Sequence, residues 1–279
     1  MFEAYLSHNC VMQKLISYLA VVFIYLAVAT DFWRCAKTPA SVRYLKLHTS
    51  MIALALIIHG WLLYQVIFDH GYNLGLFNVL SAISWLSVLI YWIADLKHEL
   101  TNLQAFVLPP AAIFALLPAS NVTDRVLPTA ESSLFLAHIS IALLAYSLFT
   151  FAAVHALLMT IAERSLHNKP TLIKLPSFPP LMAMETLLFR IIIMGFILLT
   201  ITLVSGMVFS EQIFNKPMQF NHKTIFSIAS WLIYASLLFG RYRYGWRGVK
   251  AIRWTLAGFL LLLLAYIGSQ FVLQIILGR

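Results

Sequence analysis

The chain is poor in charge. Of its 279 residues only 10% are Asp, Glu, Lys or Arg, where ordinary soluble domains hold about 25%. That shortage excludes a cytosolic enzyme and a disordered tail protein. Cysteine is almost missing as well: Cys10 and Cys35 are the whole complement. The topology derived below puts them on opposite faces of a membrane, so no disulfide can form within one chain, and a secreted disulfide scaffold is excluded. There is no Ser/His/Asp, Cys/His, GxSxG, HExxH or Walker pattern and no cofactor-type glycine loop. A hydrolase or nucleotide-driven pump therefore has no support. Internal repeats and low-complexity tracts are also lacking.

What is present is apolar. Hydrophobic residues make up 61% of the chain, with 20 Phe, 12 Tyr and 7 Trp, and the mean hydropathy is +0.86. Lipid is the solvent for most of this sequence. Runs of roughly 20 apolar residues, enough to cross a ~30 Å hydrocarbon core, recur eight times, at about 13–32, 50–68, 74–95, 102–120, 133–160, 188–210, 222–240 and 254–276. They lack the alternation of an outer-membrane barrel, so the fold is an all-α, polytopic integral membrane helix bundle. Pro109 and Pro110 inside the fourth span should kink or break it. The first span is too long, and lacks the basic lead-in, for a cleaved signal peptide. The polar stretch Glu163 to Pro180 reads as a connector. The chain reads as one transmembrane domain over 1–279, with four N-terminal spans in 1–125 and a four-span core in 130–275.

Orientation follows from Lys and Arg. Fourteen of them, among them Arg34, Lys46, Arg164, Arg190 and the group Arg241, Arg243, Arg247, Lys250 and Arg253, fall on one side, and five (Lys14, Arg125, Lys216, Lys223 and Arg279) on the other. Cytoplasmic loops carry the excess, so both termini should lie outside, on the periplasmic side of a bacterial inner (cytoplasmic) membrane. The formal charge of +9 is then a topology signal. Anionic lipid headgroups account for it better than nucleic acid does.

Function in a bundle shows in the polar groups tolerated at depth. Of nine histidines, His8, His48, His70, His98 and His167 read as solvated groups in loops or termini. His155 lies near the cytoplasmic end of its span, where its ring can reach the headgroups. Three are more informative. His59 falls near mid-bilayer in the second span. His138 lies roughly 8 Å below the outer surface in the fifth span, and His222 opens the seventh at the same level.

Two imidazoles at one level facing an apolar bundle suit the axial positions of haem iron, whose flat macrocycle needs an apolar slot. Ala142 and Ala145, one and two turns below His138 with Ile141 alongside, leave room for a plate, although close helix contact is by itself the more common reason for such small residues. His222 shares its face with Ile225, Phe226 and Ala229. Lys223, Lys216 and Arg125 are placed to meet propionates, or merely keep loops soluble. A zinc or iron site recruiting Asp69, Asp124 or Glu131 is the competing use of the same histidines.

The segments HISIALLAY at 138–146, METLLFRIIIMGFILLTITLVSG at 184–206, HKTIFSIASWLIYASLLFGR at 222–241 and GWRG at 245–248 resemble the cytochrome c assembly membrane protein family, the CcsA/CcmC/HemX-like haem handlers. The YpjD/HemX-type inner membrane proteins are the most similar branch. Arg190, Gly195, Phe196, Gly206, Trp231 and Tyr234 carry the match, which covers about 130–275; the four N-terminal spans match in hydropathy and perhaps at His59. The resemblance implies non-covalent, b-type haem in the membrane, with His138 matching an external axial histidine and His59 an intramembrane one. It also implies cytochrome c assembly components as partners. Three departures stand out. The lyases' W-G-x-x-W-x-W-D segment is replaced by EQIFNKPMQFNHK, and Phe239 stands where they have a histidine. The last span has Gly268, Ser269 and Gln270 in place of a second external histidine. All three argue against haem ligation to apocytochrome, hence against an enzyme.

The reading expected from these residues is a haem-binding carrier or accessory factor. A regulator that docks a haem-biosynthesis enzyme or assembly partner through basic loops at 34–48 and 241–253 is the alternative. A small-solute transporter built around His59 and the interrupted fourth span ranks third.

Overall fold

A computed structural model describes residues 2–35, 42–68, 72–98, 104–120, 133–167, 180–214 and 222–268. Its elements are all helical: α1 (Phe2–Cys35), α2 (Val42–Phe68), α3 (Leu76–His98), α4 (Gln104–Leu116), α5 (Ser133–His167), α6 (Leu181–Phe214), α7 (His222–Tyr244) and α8 (Gly248–Leu263). A 3-10 turn over Leu117–Ser120 closes α4, and a π turn over Leu264–Gly268 extends α8. Hydrocarbon offers the backbone no hydrogen-bond partners, so apolar runs of this length satisfy their own amides as helices. Seven of these helices are long and apolar enough to cross a membrane, and α4 with its 3-10 turn is a shorter apolar element. The protein is a multi-pass membrane protein. Cys10 and Cys35 lie on the same unbroken helix, about 38 Å apart by helix rise.

Two sequence expectations change here. Helix α4 runs through Pro109 and Pro110 without a break. The carbonyls that these prolines leave unbonded are those of residues 105 and 106, at the very start of the helix, where the loss disturbs no interior turn. The interruption falls instead at the 3-10 turn that contains Pro118. The basic "loop" at 241–253 is also mostly helical: α7 continues to Tyr244 and α8 starts at Gly248. Only residues 245–247 form the turn, and Gly245 (φ 64°) and Gly248 (φ 54°) supply the left-handed conformations that so tight a reversal needs.

The helices fall into two compact units, α1–α4 and α5–α8. In the first, α1 packs on α2 and α4, and α3 packs on α2 and α4. Its buried α1 stripe is Tyr18, Val21, Tyr25, Val28 and Phe32, the alternating three- and four-residue spacing that turns one helical face to a partner. Helices α2 and α3 are tied by two indoles: Trp85 Nε1 donates to the Leu56 carbonyl at 2.8 Å and Trp92 Nε1 to the Thr49 carbonyl at 3.0 Å. Seven residues separate the donors and seven the acceptors, which fixes an antiparallel register.

In the second unit α5 and α6 form the most extensive pair, α7 packs between α6 and α8, and α8 returns against α5. Ser230 Oγ donates to the Gly258 carbonyl at 2.8 Å and Tyr234 Oη to the Thr255 carbonyl at 3.2 Å. Tyr234 stacks on Phe149 at 4.0 Å between centroids. A Cβ on Gly258 would stand 2.8 Å from the Tyr234 ring. Glycine there is what lets α7 and α8 approach so closely.

Candidate functional site

At one end of the second unit, α5, α6, α7 and the π turn bring together several of the residues singled out in the sequence. His138 sits half-buried on α5. Its Nδ1 is 2.7 Å from Ser205 Oγ on α6. The Ser205 hydroxyl also lies 3.2 Å from the Thr202 carbonyl, as its donor. A hydroxyl has one proton. The hydroxyl can turn that proton to Nδ1 or to Thr202; in the second case Nδ1–H of His138 donates to Ser205 and the lone pair falls on Nε2. That tautomer, held by a hydrogen bond on the opposite nitrogen, is the form in which a histidine ligates metal. Next to Ser205, Gly206 keeps α6 near the ring: a Cβ there would meet His138 Cε1 at 3.4 Å.

Helix α7 begins at His222, whose side chain is exposed, and Lys223 lies within electrostatic reach of His138. The Lys223 ammonium stands 5.5 Å from the centroid of the Tyr266 ring in the π turn. Tyr266 in turn lies 5.8 Å from Tyr146, two turns below His138 on α5. One end of the unit thus combines an oriented imidazole, a second histidine at a helix start, a cation and two tyrosine rings. Ala142 and Phe226 are half-buried along the same helices, and Ala145 is buried. Trp231 is placed differently. Its Nε1 donates to Thr200 Oγ1 at 2.9 Å and its ring stacks on Phe196 at 5.4 Å, so it anchors α7 to α6.

His59 belongs to the first unit. It is fully buried, with Nε2 at 2.9 Å from Ser81 Oγ and Nδ1 at 3.4 Å from the Tyr25 hydroxyl. Both ring nitrogens are committed, and an iron atom would have to displace one of these partners. Arg125, Lys216, Asp69, Asp124, Glu131, His70, Ser269 and Gln270 lie outside the described residues. Among the described residues, no group of three or more His, Cys, Asp or Glu is arranged to hold a metal ion.

Two histidines differ from the sequence reading. His48 is a buried residue of α2, not a solvated loop group: its Nε2 pairs with Asp31 at 2.9 Å and its ring packs 4.8 Å from Phe32. The helix starts at Val42, earlier than its apolar run, and that carries His48 into the packed interface. His155 does not reach toward headgroups. It is buried, and Nε2–H donates to the Met184 carbonyl on α6 at 2.9 Å.

The sequence reading also missed Ser205, Ser81 and Glu185. Glu185, buried on α6, holds the α7–α8 turn: Oε1 lies 2.6 Å from Arg241 Nη1 and 3.5 Å from Arg247 Nε, and Oε2 accepts from Gly248 N–H at 3.4 Å. Arg241 donates onward to the Trp246 carbonyl at 3.2 Å. A lone carboxylate inside an apolar run was the available signal, since depth makes an unpaired charge costly.

Comparison with known proteins extends the match toward the N-terminus, past the four-span core in which the resemblance was first legible. The Escherichia coli (strain K12) protein named inner membrane protein YpjD is 32% identical over 212 residues, covering 75% of this chain and 78% of that protein. Cytochrome c biogenesis protein CcsA of Prochlorococcus marinus (strain AS9601) is 22% identical over 289 residues, covering 94% and 91%. An Azospirillum brasilense protein described as an uncharacterized 28.8 kDa protein in the nifR3-like 5′ region is 33% identical over 141 residues, about half of each chain. No solved structure matches the chain. The pattern of the family described as cytochrome C assembly protein matches residues 47–277, and the chain belongs to that family.

Proposed function

We propose that this protein binds haem non-covalently in the inner membrane and serves cytochrome c assembly as a carrier or accessory factor. The observation that carries this reading is the contact of His138 with Ser205: with Nδ1–H donated to that hydroxyl, Nε2 would carry the lone pair with which a histidine binds iron. The residues present fit such a group. His222, at the start of α7, supplies a second imidazole, Lys223 a cation for a propionate, and Tyr266, Tyr146 and Phe226 apolar flanks. Haem held in this way supplies an iron centre that changes oxidation state at the membrane surface. The side chains hold its ring in place and shield it from water. The distribution of Lys and Arg supports a periplasmic placement of the His138 end. An accessory role rather than lyase catalysis is supported by the sequence EQIFNKPMQFNHK, which lacks tryptophan ahead of α7.

The test is haem retention by purified single variants. H138A and H222A, made in haem-replete cells, should each lose the low-spin spectrum of the parent while still eluting as folded protein. Unchanged haem content in both variants refutes the ligand pair.

A further inference from the structure

Beyond the haem site, the opposite end of the second unit carries a charge pattern that this function does not use. From residue 212 to the end the chain contains no Asp or Glu, yet Arg241, Arg243, Arg247, Lys250 and Arg253 crowd the α7–α8 turn. Glu185 pairs with two of them, Arg241 and Arg247. Lys250 and Arg253 remain exposed on α8. Spaced three residues apart, their stems rise from one face about 5–6 Å from each other.

That face continues down the helix. Ala257, Leu260 and Leu264 are the next exposed positions, and the spacing 250, 253, 257, 260, 264 is a single helical stripe. It begins with two cations and continues for about 16 Å as apolar surface, with a small side chain just below the charges. Lys250 is held in place: its ammonium lies 3.9 Å from the centroid of the Trp246 ring, and Trp246 packs against Trp254 at 5.1 Å. Paired indoles mark the headgroup level of a bilayer.

We infer that this stripe binds one anionic glycerophospholipid, its phosphate between Lys250 and Arg253 and an acyl chain along Ala257, Leu260 and Leu264. The continuity of charge into apolar track favours a lipid over an acidic protein, which would need no acyl groove.

Native mass spectrometry of the full chain in detergent tests this. Dioleoyl phosphatidylglycerol should bind in preference to dioleoyl phosphatidylcholine, which carries the same acyl chains. The K250Q/R253Q variant should lose that preference by about fivefold for each cation removed. The control R34Q/K46Q, which removes two exposed cations of the first unit, should keep it. Equal binding of the two lipids by the parent overturns the inference, as does an equal loss in the control. Displacement of the lipid by matched concentrations of glycerol 3-phosphate or of polyglutamate also overturns it, since the surface then reads a free phosphate or an acidic chain.

Discussion

Ser205 stands 2.7 Å from Nδ1 of His138, and its hydroxyl is already directed to the Thr202 carbonyl 3.2 Å away. One proton cannot serve both contacts: while it stays on Thr202 the histidine donates, and its other nitrogen carries the lone pair. A residue with no charge and no metal affinity of its own therefore sets the chemistry of the ligand beside it.

Ser205→Ala should weaken haem binding by about 10–100-fold, the usual cost of removing a partner that orients a metal-binding histidine. Ser205→Thr, which restores the hydroxyl, should recover most of it. Haem titration of the apoprotein, followed at the Soret band, measures both. Equal affinity for Ser205→Ala and the parent removes the orienting role.

Ser81→Ala should destabilise the first unit by about 1–3 kcal/mol, because it strands a His59 ring nitrogen in a fully buried position. The double variant Ser81→Ala with His59→Leu should recover part of the loss by removing the stranded group. Unfolding of the detergent-solubilised protein by a graded denaturing detergent reads the difference. A Ser81→Ala variant as stable as the parent contradicts the arrangement.

Glu185→Ala should cost about 2 kcal/mol. A fully buried pair broken on one side loses roughly 3–5 kcal/mol, but the Arg241 side chain keeps 27% of its exposure, and water offsets part of the penalty. Adding Arg241→Met should make the second change cheaper than it is alone. Strict additivity in that double-mutant cycle shows that the two residues do not interact.

Gly258→Ala should destabilise by about 1–3 kcal/mol through overpacking against Tyr234. Tyr234→Leu in the same chain should relieve the clash, so the double variant loses less than the sum of the singles. The same unfolding assay decides it.

The helical architecture was legible because hydropathy and helix length are local properties. Each apolar run had to become a helix, whatever it packed against. Partners were not legible. Ser205 and Ser81 carry no periodic signal, and only the approach of α6 to α5 and of α3 to α2 reveals what they hold. His48 was misread because hydropathy ends a span at its last apolar residue, whereas α2 begins at Val42 and buries His48 against Asp31. His155 was misread for a related reason: depth along one helix says nothing about the carbonyl of Met184 on the next. The pairing of Glu185 with Arg241 spans two helices far apart in sequence, and spacing alone cannot supply it.

The most direct measurement is the reduced-minus-oxidised visible spectrum of the wild-type protein purified in detergent from haem-replete cells. The account expects a low-spin b-type spectrum with a sharp α band on reduction, at close to one haem per chain. A colourless preparation, folded and free of haem, contradicts it.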